Sequence, residues 1–417
     1  MLRSFASILG SLHRRIGLLL WASALAFVFA RVVHRCSSLP QAYTWFEPLR
    51  TMRLVLGIEY FPTAILATLA AAMLRKRGEW NLGHVLGRLR TRTEVAPFLR
   101  RIAPALGLGL ALACVDAFVF PDHSVLDGVS VVAIGFGISL QPFDRGKLLR
   151  LAAHAVVATA ALMAICYCYT VLKALTFAGH RQVDASIAAV EHALVGLYPH
   201  RAVATWAADR PTVVAVCDWV YFRFFHHMVL TAVLLLGLRQ GKQRIEYLVA
   251  LALCYLIGGP LYHVFPAVGP GYSEPPYYAF LARGALTTNE IRLWLLGNTT
   301  GVMNGTATEL RTWGYIACMP SLHVAHELVM LWYARRSRLA FAASALFSAM
   351  TILSVVVLGW HYFLDCVGSF VVAGFAIGVA HWQRDRLMPA ALADLQDVPL
   401  PPRPRILAPL LRRLWSG

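Results

Sequence analysis

The sequence predicts an all-α membrane protein. Charged side chains make up 14% of the 417 residues and apolar side chains 58%, a balance too apolar for a soluble domain of this length. About ten apolar runs approach the ~20 residues that cross a bilayer. None alternates between polar and apolar residues as barrel strands do, so each is predicted to be a helix. The runs are 16–34, 54–74, 102–120, 125–142, 148–176, 217–238, 245–265, 322–334, 339–360 and 364–383.

Some of these elements need individual justification. The first run begins behind Arg14 and Arg15, as a signal peptide does, but it lacks a small-residue cleavage site and continues through Val33. We interpret it as a retained helix. The run 322–334 is the shortest of the set. The segments 78–99 and 183–197 are amphipathic, and we expect them to lie on the inner and the outer membrane surface, respectively.

The basic residues indicate topology. A formal net charge of +17 would suit a nucleic-acid-binding protein, but the excess lies in short connections between apolar runs, so we expect no nucleic-acid partner. With the N-terminus inside, the five further inside segments are all basic. The outer loop 121–125 has no Lys or Arg, and the long outer loop 266–321 has three. The Ala- and Arg-rich composition favours a bacterial inner membrane.

The chain is predicted to divide into three parts. Residues 1–147 form a four-helix membrane region in which we find no chemical motif. Residues 148–384 form a six-helix region with all the candidate chemistry, and 385–417 form a basic tail on the inside. No pattern in the sequence indicates the oligomeric state.

Two histidines and one carboxylate are the strongest candidates for chemistry, and the charge pattern places all three on the outer side. His361 and Asp365 are four residues apart, so on a helix they share a face. The carboxylate can then accept the ring N–H of His361 and direct the other nitrogen outward as a nucleophile. Ser321 is suited to cap the helix that begins beside His323, where free backbone N–H groups would bind a phosphate.

These motifs resemble the type 2 phosphatidic acid phosphatase (PAP2) superfamily, and most closely its branch of inositol phosphorylceramide synthases. Residues 320–323 are similar to the second family motif, residues 361–365 to the third, and residues 265–270 to a reduced first motif. The resemblance implies a six-helix membrane core and a reaction without metal or cofactor. In it, His361 attacks phosphorus, His323 protonates the departing oxygen, and water or an alcohol releases the phosphate from the phosphohistidine.

The sequence departs from the family pattern in its cations. Gly271 and Val355 stand where related sequences carry bulky or basic residues, and the Lys and Arg of the first motif are missing. A phosphoryl transition state needs positive partners for its equatorial oxygens. Backbone amides after Ser321 can supply part of that charge. The candidate replacements nearest the outer surface are Arg311 and His263, and two further candidates are Arg223 and His226.

The leading hypothesis is therefore a membrane lipid phosphatase or phosphotransferase that cleaves a phosphate ester of a lipid or polyprenyl substrate at the outer leaflet. A second hypothesis is transfer of a phospho-headgroup to an alcohol such as a ceramide, a diacylglycerol or a glycan. The missing cations favour transfer, because a phosphodiester donor carries less charge than a monoester. A third is a proton-coupled transporter, although the ionisable groups cluster at one membrane face.

Other polar residues have simpler interpretations. His323, His326 and Glu327 have the spacing of a metal-binding helix but lack a third ligand in the zincin order, and we predict no metal site. Cys318 and two other cysteines on the outer side leave a disulfide open. An interfacial side chain is the default for four more histidines, His180, His200, His227 and His381.

Overall fold

The computed structural model describes residues 21–43, 160–161, 163–178, 181–228, 231, 241–335 and 338–387. Within these ranges the chain is mostly helical, in agreement with the predicted class. The predicted runs 54–74, 102–120 and 125–142, the amphipathic segment 78–99, His180 and most of the basic tail lie outside the described residues.

A short helical segment covers 224–228, and the described helices of ten or more residues are numbered in chain order. They are α1 (21–36), α2 (Met163–Leu175), α3 (Asp184–Val195), α4 (Pro199–Ala208), α5 (Pro211–Phe222), α6 (Gly241–Val264), α7 (Leu286–Met303), α8 (Leu322–Ala334), α9 (Arg338–Val357) and α10 (Phe363–Leu387). Three single-turn elements, Pro270–Ser273, Pro275–Tyr278 and Leu281–Gly284, connect α6 to α7. The strands β1 (Ala42–Tyr43) and β2 (Glu309–Leu310) pair in parallel.

Local sequence explains several helix starts. Pro199 and Pro211 open α4 and α5, where the missing N–H of proline costs nothing. Ser321 is the N-cap of α8, and its Oγ accepts the N–H of Val324 at 3.4 Å. The expected cap is thus confirmed. A carboxylate from α5, Asp218, caps α7 from outside by accepting backbone N–H groups of residues 287 and 288.

Three described helical segments are long and apolar enough to cross a membrane, namely Glu246–Val264, Ala340–Val357 and Phe363–Gln383. They coincide with the predicted runs 245–265, 339–360 and 364–383 and are consistent with an integral membrane protein. The run 322–334 is also a helix, α8, but it has only 13 residues and is largely buried. The predicted run 217–238 begins inside α5, which starts earlier, at Pro211, and ends at Phe222. The short helical segment 224–228 follows, and most of the rest of the run lies outside the described residues.

The outer loop 266–321 contains an 18-residue helix, α7, that the sequence analysis did not predict. Thr, Asn, Glu and Arg residues interrupt its apolar positions, so no apolar run announces it. Its buried side chains include Leu295 and Thr299. The hydroxyl of Thr299 accepts the N–H of Ile316 at 3.0 Å, which fastens α7 to the segment before α8.

Helices α6, α8, α9 and α10 form the packed centre of the fold. Helix α6 packs against α8 and α10, α8 against α9 and α10, and α9 against α5. A polar cluster lies inside this group, where Glu327 of α8 contacts Nδ1 of His227 at 2.8 Å and accepts a hydrogen bond from Ser348 at 2.7 Å. Nε2 of His227 lies 2.9 Å from the hydroxyl of Ser344. The interfacial interpretation of His227 is therefore wrong, because a buried carboxylate needs this partner.

Helix α1 is joined to the remainder of the fold through polar and aromatic contacts. Nδ1 of His34 lies 2.5 Å from the hydroxyl of Tyr167 on α2, and Nε2 lies 2.7 Å from the carbonyl of Pro40. The hydroxyl of Thr312 donates to that of Tyr43 at 3.1 Å beside the β1–β2 pair. The segment 21–43 is thereby tied to the chain that leads into α8.

Candidate active site

The two motif histidines lie side by side. Their ring centroids are 6.4 Å apart, with His323 in the first turn of α8 and His361 in the turn before α10. Both rings line the same cavity. The packing of α8 against α10 therefore brings together two residues that are separated by 38 positions in the chain.

Asp365 approaches His361 by a different route from the one expected. His361 does not lie on a helix with Asp365, because α10 begins at Phe363. Instead, the side chain of Asp365 in the first turn of α10 turns back toward the start of the helix. Its Oδ2 accepts the N–H of Tyr362, the residue before the helix, at 2.8 Å, as the acidic residue of a capping box does. The same oxygen lies 3.4 Å from Nδ1 of His361. Nε2 of His361 is thus the nitrogen left free for chemistry.

Cys318 is a part of the site whose role the sequence analysis missed. Its Sγ donates to Oδ2 of Asp365 at 2.7 Å and lies 3.5 Å from Nδ1 of His361. Burial raises the pKa of the Cys318 thiol well above its usual range, so it stays protonated and acts as a donor. The seven cysteines in the described part of the chain are all free thiols, so the disulfide left open for Cys318 does not form there.

The reduced first motif forms the loop behind His361. Asp184 of α3 accepts the N–H groups of Val268 and Gly269 at 3.0 and 2.9 Å, and the hydroxyl of Tyr362 at 3.2 Å. Gly269 has φ +91°, and a Cβ there would lie 2.6 Å from the carbonyl oxygen of Trp360. The loop therefore rests directly on the backbone that carries His361.

Helix α3 is not the free amphipathic segment at the outer surface that the sequence predicted. Asp184 and Glu191 are only 6% and 4% exposed, and Glu191 accepts the N–H of Leu364 at the start of α10. His200 of α4 is fully buried between Glu191 and Glu274, at 3.6 and 3.3 Å, so its interfacial interpretation is wrong as well. The polar face of α3 is directed to the site because backbone N–H groups there need acceptors.

The cavity beside the histidines has a volume of about 200 Å³ and is lined mainly by aromatic rings. The ring of Tyr221 stacks on Trp360 with centroids 5.4 Å apart and lies 4.6 Å from that of His323. The ring centroid of Phe224 lies 4.8 Å from that of His323. Among the described residues that line the cavity, Lys173 of α2 is the one Lys or Arg.

The three predicted phosphate-binding residues are not brought to this cavity. The side chain of Arg311 is 45% exposed and forms an ion pair with Glu309. His263 is exposed near the end of α6, and Ser321 is fully buried with its hydroxyl engaged in the α8 cap. None of the three is among the lining residues. Their predicted contact with phosphate stays a prediction, and the geometry favours Lys173 as the cation instead.

Comparison with known families agrees with the expected superfamily. Residues 185–379 match the family model described as the PAP2 superfamily. The match spans α3 to α10 and contains both histidines, Asp365 and Cys318, whereas Lys173 precedes it. It supports the superfamily, and with it an activity of the phosphatase or phosphotransferase type, without distinguishing a branch. The comparison with curated proteins and the comparison with solved structures each gave no match.

Proposed function

We propose that this protein is a membrane phosphatase or phosphotransferase that cleaves a phosphate ester of a lipid or polyprenyl substrate through a phosphohistidine. The observation that carries the proposal is the convergence of His323 and His361 on one cavity, with Asp365 behind Nδ1 of His361. The positive-inside pattern supports an outer-leaflet location for the reaction.

In the proposed reaction, Nε2 of His361 attacks phosphorus while Asp365 holds the proton on Nδ1. This tautomer leaves the lone pair of Nε2 in the cavity. His323 protonates the departing oxygen, so that the leaving group departs as an alcohol. An incoming water or alcohol then attacks the phosphohistidine, and His323 accepts its proton. The rings around His323 exclude water, which strengthens the electrostatic contacts of the phosphoryl group.

Lys173 is our candidate for the positive partner of the phosphoryl oxygens. It lines the same cavity as both histidines, and its ammonium lies 5.7 Å from the ring centroid of Tyr169. A cation in an apolar helix marks a functional position more often than a surface lysine does. We expect Lys173→Met to lower kcat/KM by about 100-fold, as loss of one oxyanion donor does, and Lys173→Arg to recover part of it. A Lys173→Met variant with unchanged kcat/KM would remove this residue from the mechanism.

A labelling experiment tests the phosphohistidine. Purified protein is mixed with substrates carrying ³²P in the cleaved phosphoryl group, quenched in alkali, and examined for label that is stable to base and released by acid. We expect wild type to be labelled and His361→Gln to be unlabelled and inactive. His326→Gln is the matched control, because His326 lines the same cavity but its two ring nitrogens are engaged by the backbone carbonyls of Leu322 and Leu251.

The same variant separates the enzyme from a transporter. A transporter would keep transport in His361→Gln with an altered pH dependence and would never carry the label. An active wild type that stays unlabelled at every quench time, or a labelled His361→Gln variant, would overturn the phosphohistidine mechanism.

Transfer of a phospho-headgroup is the second candidate, and one observation favours it. The described lining of the cavity offers a single Lys or Arg, which suits a singly charged phosphodiester better than a doubly charged monoester. Membranes with and without the active protein are supplied with lipid alcohols and analysed by mass spectrometry. A new headgroup lipid indicates transfer, whereas free phosphate alone indicates hydrolysis.

A further inference from the structure

Three potential metal ligands surround one point behind the active-site cavity. The Sγ of Cys318, the Nδ1 of His361 and a carboxylate oxygen of Asp365 all lie within 4.8 Å of one another. Sγ is 3.5 Å from Nδ1, Nδ1 is 3.4 Å from Oδ2, and Sγ is 2.7 Å from Oδ2. All three residues are buried. The site thus offers one soft sulfur, one imidazole nitrogen and one carboxylate.

Two of these three distances between ligand atoms fit a tetrahedral zinc ion. With bonds of about 2.3 Å to sulfur and 2.1 Å to nitrogen or oxygen, the ligand atoms of such a site lie about 3.4–3.6 Å apart. The third distance is short because the thiol proton bridges Sγ and Oδ2. Removing that proton ends the attraction, and a cation between the two atoms would hold them farther apart.

The second oxygen of Asp365 is an independent indication of a cation site. Oδ1 is buried and has no hydrogen-bond partner among the described residues, although Asp365 has no exposed surface. A buried carboxylate oxygen in this state retains the full cost of its lost hydration. A cation at the three ligands would lie beside this carboxylate and compensate for that cost.

We infer that Cys318, His361 and Asp365 bind a thiophilic divalent cation of the zinc class, and that this cation switches off the reaction proposed above. The inference rests on that proposed function for its effect on turnover, but not for the binding itself. Three protein ligands leave a fourth position of the ion for water. The His361 ring lies between the three ligand atoms and the cavity that it lines.

The inhibition follows from the tautomer of one imidazole. In the active site Nδ1 of His361 carries the proton and Nε2 is the nucleophile. A cation on Nδ1 displaces that proton, and the neutral ring then carries its proton on Nε2, which has no lone pair left for phosphorus. The Cys318 thiol loses its proton to water and binds as the thiolate. Asp365, which held the proton on the imidazole, becomes a ligand of the ion. The bonds to the ion and the two proton transfers are the only bond changes.

Metal binding is tested first without any substrate. Metal-free protein in detergent is titrated with Co²⁺, which replaces zinc and gives an absorption band in the near ultraviolet when a thiolate binds it. We expect the band in wild type, its loss in Cys318→Ala, and its full strength in Cys366→Ala. Cys366 is the matched control because it is a buried thiol on α10 next to Asp365 whose hydrogen bond goes to the carbonyl of Tyr362.

Turnover then tests the regulation. We expect micromolar Zn²⁺ to inhibit wild type and Cys366→Ala, and a chelator to restore their activity. Cys318→Ala should need a Zn²⁺ concentration at least ~10-fold higher for the same inhibition, since loss of even an indirect contact to a metal ligand lowers metal affinity by that factor. Absence of the cobalt band, a band that survives Cys318→Ala, or equal inhibition of both cysteine variants would overturn the inference. A cobalt band in a protein without phosphotransfer activity would instead keep the site and reject the proposed function.

Discussion

Replacing Asp184 with asparagine tests whether the loop of the reduced first motif, residues 265–270, positions His361 for the reaction. Asp184 accepts two backbone N–H groups and one hydroxyl and is 6% exposed. An amide oxygen can serve only one of the two N–H groups, and the amide NH₂ then faces the other donor. The loss of one hydrogen bond to a charged acceptor lowers the free energy of unfolding by about 1.5–3 kcal/mol, and the N–H left unsatisfied lowers it by about 1–3 kcal/mol more.

Part of this loss is offset. Burial raises the pKa of Asp184 above its usual value, which means that the buried charge already costs free energy that a neutral amide does not. We therefore expect a net destabilisation of about 2 kcal/mol, seen as a fall of a few degrees in the thermal midpoint in detergent. Because the loop rests on the backbone of His361, we also expect turnover of the folded protein to fall by about 10–100-fold.

Asp218→Asn is the control for this effect. Asp218 is 9% exposed and likewise accepts two backbone N–H groups and one hydroxyl, from residues 287 and 288 at the start of α7. The Asp218→Asn variant should have a thermal midpoint lowered by a similar amount, while its kcat per folded molecule changes less than about threefold. Equal losses of turnover in the two variants, or an Asp184→Asn protein with wild-type kcat, would refute the view that Asp184 positions His361.

Three further perturbations test other contacts. Two hydrogen bonds from Arg201 hold the pKa of Glu274 below its usual value. The pair therefore stabilises the fold above the ordinary carboxyl pKa and loses this effect as the pH falls through the lowered pKa. Arg201→Gln should lower the free energy of unfolding by up to about 1 kcal/mol at pH 7, and with it the thermal midpoint, but should have no effect in strong acid. Glu327→Leu leaves its buried partners unpaired and should cost about 3–5 kcal/mol in unfolding experiments. Gly359→Ala, at φ +70° with an aromatic ring 2.5 Å from the added Cβ, should abolish turnover and lower the midpoint.

Each of these has a comparison that would contradict it. A midpoint difference for Arg201→Gln that persists unchanged into acid would exclude Glu274 as the titrating partner. Glu327→Leu combined with His227→Phe should recover part of the lost stability, because the buried imidazole that lost its carboxylate partner is then removed as well. Gly378→Ala, at a helical glycine with open space around its Cβ, should leave both turnover and midpoint unchanged, and equal damage there would argue against strain at Gly359.

The sequence alone determined the class of fold and singled out the candidate reacting groups. Apolar runs of bilayer length have one stable backbone arrangement in lipid apart from a barrel, so α6, α9 and α10 could be placed within a few residues. The cap at Ser321 was also predictable, because it depends on residues within one turn. His323 and His361 were recognisable because each stands in a short motif whose spacing carries chemical meaning.

Tertiary structure decided which side chains surround those groups. Lys173 and Asp184 reach the site from helices far along the chain from both motif histidines. Cys318 precedes His323 closely, but its contact with Asp365 joins residues 47 positions apart, and no local periodicity encodes such contacts. Arg311 was a reasonable expectation from its position in the loop, but it pairs with Glu309 and is not among the residues that line the cavity. The cause is physical: a helix or a cap forms through bonds within a few residues, whereas a cavity exists only where separately folded helices pack.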